Sequence, residues 1–366
     1  MESWRLIDLG MAEPLEAQTF YEAVALAISR DLSPNTLLLC QPASPYVCLG
    51  YHQELEREID LEYCRRTGLP IIRRSQGGGA TYLNSDQIFY QVTASRESSA
   101  IPARVEDLFE KLLKAPVQVY RRLGLPAEFK PVNDVVVGGR KISGNGAGLI
   151  DSAVVLVGNI ILDLDYDSMS RVLRVPDEKF RNKMVKSMSE WVTSLKREVG
   201  HVPEADEIKM LLKEAFEVVL EIRLQKAEPS GEERRIWEEE VKPKHLSAEW
   251  LQMKGGRSLS EGLRAVKIAG DLHLAEVDHK AGKLIRVRAE LRGQEIQDIS
   301  ITGDFFMVPE ETLLRLQEAL MGARLEESDL EQRIGKVLEE SGAQIPGMRP
   351  RDFVEAILKL GEALPS

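Results

Sequence analysis

Residues 73–79 read Arg-Arg-Ser-Gln-Gly-Gly-Gly, and they lie between two short apolar runs of strand type. The first run is Leu69-Pro70-Ile71-Ile72 and the second is Ile88-Phe89-Tyr90-Gln91-Val92, so the local prediction is a strand, a glycine turn and a strand. Because glycine lacks a Cβ, three in succession allow the backbone to approach a flat or anionic ligand closely. The alternative is a tight turn without a ligand, since glycines are common in β-hairpins.

A second segment carries charged and polar groups suited to a nucleotide phosphate. Asn133-Asp134 precedes a predicted hairpin that turns at Gly138-Gly139, and Arg140-Lys141-Ile142-Ser143-Gly144 begins its second strand. A carboxylic acid reacts with an amine only after activation, and transfer to AMP requires positive charge around the α-phosphate. Lys141 is the candidate for that charge, Asn133 for a contact with adenine or ribose, and Asp134 for a Mg²⁺ ion. The alternatives are a solvent-exposed strand lysine and an Asx turn at the strand entry.

Length, charge and cysteine content restrict the class of protein. The chain has 366 residues, 43% of them hydrophobic, which favours two domains with cores of their own. Its formal net charge of −11 argues against a nucleic-acid partner. The cysteines are odd in number and lie in or beside apolar stretches, which is typical of reduced thiols; they are Cys40, Cys48 and Cys64. The amino terminus lacks the pattern of a signal peptide, and no run approaches the length of a membrane span. We therefore expect a cytoplasmic protein without a membrane partner, and we take it to be a monomer.

The order of the predicted elements indicates the fold class. Helical patterns such as Leu15 to Arg30 are interspersed with hairpin-type strands such as Ala153 to Leu162. This order predicts an α+β fold, with a mixed, largely antiparallel sheet flanked by helices, rather than a doubly wound sheet. Charge runs, Pro243 and Gly255-Gly256 predict a linker at 229–262, in which the charge-dense stretch Glu232 to Lys244 forms a solvated helix or linker. The predicted domains are therefore 1–228, which carries the glycine and lysine motifs, and a small α+β domain at 263–366.

In combination, these motifs resemble those of the lipoate-protein ligase family, within the larger group of biotin and lipoate ligases. The resemblance covers about Trp4 to Leu224, and it is carried by Arg73-Arg74-Ser75-Gln76-Gly77-Gly78-Gly79-Ala80, Asn133-Asp134 and Arg140-Lys141-Ile142-Ser143-Gly144. The tail is similar to the family's small accessory domain, in Gly282-Lys283-Leu284-Ile285-Arg286-Val287 and Ile301-Thr302-Gly303-Asp304-Phe305-Phe306. An accessory domain on the same chain favours the ligase over its ATP-independent relatives.

The resemblance implies a two-step reaction and a set of site residues. Lipoate and ATP would give lipoyl-AMP, and a lysine of an acceptor lipoyl domain would then take the lipoyl group. The implied carrier is similar to the glycine cleavage H protein or to a dehydrogenase E2 component. Lys141 would hold the carboxylate and the α-phosphate, and Asp134 would bind Mg²⁺. The implied ATP and lipoyl-AMP site consists of Arg74, Gly77, Gly78, Gly79, Ala80, Asn133, Asp134, Ser143 and Gly144. The implied lipoyl tunnel consists of Leu49, Gly50, Tyr51, His52 and Val155.

The chain also departs from the family pattern. Tyr82-Leu83-Asn84 stands where most members carry Phe-His-Asp, and Leu149-Ile150-Asp151-Ser152 replaces a histidine-containing segment, which leaves the acyl substrate and the acceptor open. One alternative is an octanoyl transferase, which would need a reactive cysteine near the lysine hairpin and no ATP. Residues 141–162 contain no cysteine. The other alternative is a non-catalytic acyl-binding or regulatory module, against which the retention of Lys141 argues.

Overall fold

The computed structural model describes residues 2–175, 178–253, 264–269 and 272–362. The chain forms two compact units. Unit 1 consists of Met1–Leu49, Leu55–Ser75 and Ala80–Leu251, and unit 2 consists of Gly50–Glu54, Gln76–Gly79 and Gln252–Ser366. Two short segments from the first part of the chain therefore belong to the second unit. Within the described ranges, no helix combines the length and apolar composition that crossing a membrane requires.

The centre of unit 1 is a mixed sheet. In the described residues it has eight strands, in the order β11-β1-β2-β6-β10-β9-β8-β7. Strand β1 is parallel to β2 and β11, and the other neighbours are antiparallel. A second, small sheet has the order β4-β3-β5. The strands of unit 1 are β1 Ser3–Ala12, β2 Thr36–Pro42, β3 Tyr46–Leu49, β4 Ile71–Arg73, β5 Thr81–Leu83, β6 Gln87–Ser95, β7 Ala127–Lys130, β8 Asp134–Val137, β9 Arg140–Ile150, β10 Ala153–Ile161 and β11 Arg223–Lys226.

Helix α1, Pro14–Ser29, supplies much of the core of unit 1. Proline in its first turn is compatible with helix initiation, because the first amide groups have no partner inside the helix. Its buried Phe20 and Val24 pack with Leu38 and Val155 of the sheet. The other helices of this part of the chain are α2 Leu55–Glu58, α3 Leu61–Thr67, α4 Val105–Leu112, α5 Lys114–Arg122, α6 Tyr166–Val172, α7 Glu178–Trp191, α8 Leu195–Val199, α9 Ala205–Leu220, α10 Gly231–Ile236, α11 Lys242–Leu246 and α12 Ala248–Gln252.

The carboxyl-terminal part of unit 2 is a small sheet with helices packed on one face. Its antiparallel order is β12-β13-β14-β15, and α15 packs on β13 and β14. Phe305 and Phe353 lie in the core between sheet and helices. The elements are β12 Arg264–Ala269, β13 Leu272–Ala281, β14 Lys283–Arg292, β15 Glu295–Gly303, α13 Thr312–Leu320, α14 Glu327–Ser341 and α15 Pro350–Glu362.

The predicted fold class is confirmed, but the predicted glycine hairpin is wrong. The chain has a mixed, mostly antiparallel sheet flanked by helices, together with a small sheet-and-helix region near its end. The glycines, however, connect β4 to β5, which do not pair with each other. Strand β4 lies parallel to one side of β3, and β5 lies antiparallel to its other side. Single-strand patterns cannot reveal this, because β3 enters the pairing from a distant part of the sequence.

The predicted linker, 229–262, contains a packed helical segment. We refer to residues 231–251 as the strap; they comprise α10, a π-helical turn at Trp237–Val241, α11 and most of α12. Ile236, Trp237 and Val241 are buried with Phe20 in the core of unit 1, and this unit extends to Leu251. The prediction that this segment is solvated was wrong, because its charged residues lie on the same helical segment as a buried apolar face. Residues 254–262 lie outside the described part of the chain.

Candidate functional site

Lys141 lies at the beginning of β9 and pairs with an acidic side chain of β8. Its Nζ atom is 2.6 Å from Asp134 Oδ1, and both side chains are about one-third exposed, at 36% and 32%. The hairpin brings these two groups together because it turns at Gly138 and Gly139, which have φ values of 56° and 78°. The predicted cation and the predicted metal ligand are thus direct neighbours, and solvent reaches both.

Gly144 provides a flat surface beside the Lys141 side chain. A Cβ atom placed on Gly144 would lie 3.6 Å from Lys141 Cε and 3.8 Å from Asn159 Oδ1. The amide of Gly144 donates to Asn159 Oδ1 at 2.8 Å, and Asn159 Nδ2 donates to Gln87 Oε1 at 2.6 Å. Buried amide side chains in such a chain of hydrogen bonds hold the backbone in one geometry. Asn159 therefore fixes the backbone under the lysine.

Asn133 and Ser143 have structural partners. Asn133 Nδ2 donates to the carbonyl of Asn145 at 2.6 Å, and Asn145 Nδ2 donates to the carbonyl of Asn133 at 2.9 Å. The hydroxyl of Ser143 is 3.1 Å from that of Tyr90 and is fully buried. These contacts hold the turn before Asp134 against β9. Protein partners thus satisfy the polar groups of Asn133 and Ser143 in the absence of a ligand. The assignment of these two residues to nucleotide binding stays a prediction.

The backbone of Lys141 is also supported by the segment after α7. The carbonyl of Lys141 accepts from the amide of Thr193 at 2.8 Å. Glu198 accepts from Arg140 Nη2 at 2.7 Å and from Thr193 Oγ1 at 2.5 Å. Burial raises the pKa of Glu198, but the hydrogen bonds from Thr193 and Arg140 outweigh it and leave the pKa below its usual value. Arg140 is thereby occupied in support of the strand, beside the lysine.

The predicted tunnel residues of unit 1 fall into two apolar clusters. Leu49 packs with Val47, Leu55 and Ile59, and Ala80 contacts the same cluster. Val155 is buried below α1 in the other cluster. The two residues were expected to line the same tunnel, and the structure places them in separate clusters.

Arg74 leaves the end of β4 beside β3. Its amide donates to the carbonyl of Leu49 at 3.0 Å, and its Nη1 atom lies 3.5 Å from Cys48 Sγ. The guanidinium thus lies beside Cys48, whose side chain belongs to the cluster that contains Val155 and not to the cluster of Leu49. This places a cation at the edge of an apolar region in unit 1, which suits the recognition of a carboxylate at the end of an apolar chain.

The glycine loop and the tunnel segment Gly50–His52 come together in unit 2, around Phe305. The amide of Tyr51 donates to the carbonyl of Gln76 at 2.9 Å, and the ring of His52 stacks on Phe305 with centroids 4.8 Å apart. Gly77 approaches the carbonyl of Phe305 so closely that a Cβ atom would overlap it. Close backbone contact therefore requires a glycine at position 77, and the contact made here is with protein. A ligand contact of the three glycines stays a prediction.

All three cysteines of the sequence are buried, and none of them forms a disulfide. Burial raises the pKa of the Cys40 and Cys48 thiols, and it raises that of Cys64 to about 11. Arg74 lowers the pKa of Cys48, but by less than burial raises it. Because the thiolate is the nucleophilic form, buried thiols with raised pKa values are poor nucleophiles at neutral pH.

Asp134 suits a magnesium ion that arrives with a nucleotide. Mg²⁺ usually takes one or two protein carboxylates and completes its shell with water and phosphate oxygens. Within the described ranges, no group of three or more histidine, cysteine, aspartate and glutamate side chains is placed to hold a metal. The partly exposed carboxylate of Asp134 fits a single protein ligand to a nucleotide-bound ion.

The sequence predicted Lys141 and Asp134 as site residues, but it did not mark the residues that hold them in place. Asn145, Asn159 and Glu198 were not singled out. One signal was present in the sequence, since Asn159 interrupts the apolar run from Ala153 to Leu162, and a buried amide requires hydrogen-bond partners. No comparable signal marks Glu198, whose partners are Arg140 at the start of β9 and Thr193 just after α7.

Two family models match the chain. The lipoyl protein ligase A/B catalytic domain matches residues 13–217, and the bacterial lipoate protein ligase C-terminus matches residues 278–357. The two matches follow the order of the sequence motifs and of the accessory tail.

The chain is similar to relatives that are named as transferases and to others that are named as ligases. The octanoyltransferase LipM of Moorella thermoacetica is 28% identical over 273 residues, which span 69% of this chain and 99% of that protein. The lipoate-protein ligase A subunit 1 of Thermoplasma acidophilum is 31% identical over 214 residues, covering 56% and 79%. A solved structure of a bi-partite lipoate protein ligase and its E2 lipoyl domain from the same organism has a TM-score of 0.61 at 27% identity, covering 71% of this chain and 100% of that chain.

Proposed function

Because the chain belongs to the lipoyl protein ligase A/B catalytic-domain family, we propose that it is an ATP-dependent lipoate-protein ligase. In the first step, a lipoate carboxylate oxygen attacks the α-phosphorus of ATP, and the bond to pyrophosphate breaks. In the second step, the ε-amine of an acceptor lysine attacks the acyl carbon of lipoyl-AMP. AMP leaves, and the amine loses a proton.

Lys141 is the residue on which this mechanism depends. Negative charge accumulates on the phosphate oxygens during adenylation, and a preorganised ammonium group stabilises it. The side chain is accessible, and Asn159 and Thr193 hold the strand around it. Its pairing with Asp134 keeps the ammonium in place before the ligand arrives. When nucleotide binds, we expect the ammonium to contact phosphate, and Asp134 to be a ligand of Mg²⁺, which supplies further charge neutralisation.

The burial of all three cysteines is the observation that carries the choice of ligase over transferase. A transferase that works through a thioester needs an accessible thiol with a low pKa. Cys40, Cys48 and Cys64 are 0%, 1% and 2% exposed, and the pKa of each is raised. ATP-dependent activation needs no protein nucleophile, so it is compatible with three buried thiols.

The carboxyl-terminal match supports the same choice. Residues 278–357 match the bacterial lipoate protein ligase C-terminus, whereas nearly the whole of the similar octanoyltransferase corresponds to 69% of this chain. Octanoyl transfer remains the second candidate, because several relatives bear that name and because Cys48 lies next to the Arg74 guanidinium.

One assay separates the candidates. The purified chain is incubated with ATP, Mg²⁺, lipoate and an acceptor lipoyl domain, and the acceptor is examined by mass spectrometry for one added lipoyl group. Pyrophosphate exchange that depends on lipoate reports the adenylation step alone. Modification that requires ATP supports the ligase. Modification from an octanoyl carrier protein without ATP would overturn the proposal.

A further inference from the structure

The strap, residues 231–251, reaches the two residues on either side of Arg74. Its contacts lie at the end of β4, where the chain leaves unit 1 for the glycine loop. One set of contacts holds Ser75 and the other holds Arg73.

Ser75 is held through a buried carboxylate of α1. Glu22 is 1% exposed, and its Oε1 atom accepts from Ser75 Oγ at 2.8 Å. Lys244 Nζ donates to Glu22 Oε2 at 2.8 Å and also lies 3.2 Å from Ser75 Oγ. His245 Nε2 lies 2.9 Å from Glu22 Oε1, and since a carboxylate accepts, this nitrogen carries the proton. Burial of a carboxylate is costly unless charged or polar donors surround it, and two of these donors belong to the strap.

Arg73 is held by the end of the strap. The indole Nε1 of Trp250 donates to the carbonyl of Arg73 at 3.0 Å. The Arg73 guanidinium donates to the carbonyl of Leu251, at 2.8 Å from Nη2 and 3.1 Å from Nε. Arg73 is fully buried, so this arginine serves as a fixed anchor rather than as a ligand group.

From these contacts we infer that the strap positions Arg74 for the acyl substrate, with Glu22, Lys244 and Trp250 as positioning residues. The inference rests on the proposed function, because it assigns Arg74 to the acyl and phosphate site. A residue whose two neighbours are both fixed has little backbone freedom, so the point from which the Arg74 side chain extends toward Cys48 is fixed. Small displacements of a group that binds the reacting part of a substrate lower the rate strongly. The strap acts through residues 73 and 75 and touches no reacting atom itself.

Two conservative variants test the inference. Ser75→Ala removes the hydroxyl that joins Glu22, and Trp250→Phe removes the donor to the Arg73 carbonyl but retains a ring. Each is expected to lower kcat/KM of lipoate adenylation about tenfold, as the loss of one well-formed hydrogen bond allows. In the Arg74→Ala background, each is expected to change kcat/KM less than twofold, because the group that they position is absent. Arg235→Gln, on the exposed face of the strap, is the control and is expected to retain wild-type kcat/KM.

A second measurement does not depend on activity. Hydrogen–deuterium exchange of residues 72–80 is expected to rise about tenfold in Ser75→Ala, while exchange in β2 stays unchanged. If the wild-type chain adenylates lipoate but the variants retain their full effect in the Arg74→Ala background, the inference is wrong and the proposed function stands. If the wild-type chain forms no acyl-adenylate, the proposed function is wrong. In that case unchanged exchange at residues 72–80 overturns the positioning as well, whereas increased exchange retains it as a property of the fold.

Discussion

At Lys141, the side chain lies between an anionic partner and a surface formed by glycine. Asp134 holds the ammonium at 2.6 Å, and the absence of a side chain at Gly144 leaves space beside the lysine stem. The buried amide of Asn159 keeps this glycine in place. The geometry accordingly combines a rigid backbone with a partly exposed charge, which is the combination that recognition of an incoming anion requires.

Replacement of this lysine tests its role directly. Lys141→Ala is expected to lower lipoate-dependent pyrophosphate exchange about a hundredfold or more, because one preorganised donor at a developing charge contributes on that scale. Lys226→Ala is the matched control, since Lys226 is an exposed strand lysine of unit 1. Equal activity of the two variants would show that adenylation does not depend on Lys141.

The cysteines provide a second test at this scale. A variant with Cys40→Ala, Cys48→Ala and Cys64→Ala is expected to retain ATP-dependent lipoylation within about threefold, after allowance for any fall in its melting temperature. The physical reason is that no step of the adenylation route uses a thiol. Loss of acyl transfer in Cys48→Ala alone, with folding intact by circular dichroism, would instead favour a thioester intermediate.

At the scale of elements, α1 and the strap form one packed assembly. Trp237 of the strap is 8% exposed, its ring lies 6.3 Å from that of Phe20, and its Nε1 atom donates to Thr19 Oγ1 at 3.0 Å. Arg235 pairs within the strap, with Glu232 and Glu239, whereas Arg234 and Glu240 pair with Glu16 and Arg30 outside it. Exposed pairs contribute little to stability, so the attachment of the strap depends on its buried apolar face and on its contacts with the buried Glu22 and Arg73.

Truncation of a buried and of an exposed tryptophan distinguishes these contributions. Trp237→Ala is expected to lower the free energy of unfolding of unit 1 by about 3 kcal/mol, because it removes a large buried ring and leaves a cavity. The matched control is Trp191→Ala, since Trp191 is 63% exposed, and its effect should stay within about 0.5 kcal/mol. Urea unfolding, monitored by amide hydrogen exchange in α1, measures the change in unfolding free energy for both variants. Similar values for the two variants would contradict the packed position of the strap.

At the scale of the whole molecule, buried and paired carboxylates make stability depend on pH. Burial raises the pKa of Glu22, but the charges of His245 and Lys244 outweigh this effect and lower the pKa from 4.5 to about 2. A carboxylate whose pKa is lower in the folded than in the unfolded chain stabilises the fold fully above the unfolded value. This stabilisation is lost as the pH falls toward the folded value.

Acid unfolding should therefore report on Glu22. Between pH 4.5 and about 2, the wild-type chain is expected to lose stability on the order of 3 kcal/mol from this group. Glu22→Gln is expected to be less stable than the wild type at pH 7 and to show a flatter decline below pH 4.5. Urea midpoints measured at pH 7, 4.5 and 3 give the comparison. If the urea midpoint of Glu22→Gln fell with decreasing pH as steeply as that of the wild type, other carboxylates would dominate the acid transition.

Some features were accessible from the sequence because they depend on neighbours along the chain. Helix α1 begins at Pro14, the lysine hairpin turns at two glycines, and the strand Ala153–Ile161 follows its apolar run. The joint motif around Arg74, Asp134 and Lys141 pointed to the family that the catalytic-domain model matches at residues 13–217. Local backbone preference and residue type are sufficient for such features.

Other features were decided by contacts between distant parts of the chain. The class of fold, the lysine hairpin and the resemblance to the family could be predicted from the sequence, since these follow from local pattern and from motif. The tertiary structure alone decided that β4 and β5 flank β3, that the three thiols are inaccessible, and that the segment after residue 230 is packed against α1. It also decided that Glu22 binds Lys244, His245 and Ser75. The reason is physical: burial, strand pairing and the satisfaction of a buried charge depend on which remote residues meet, and no local pattern records that.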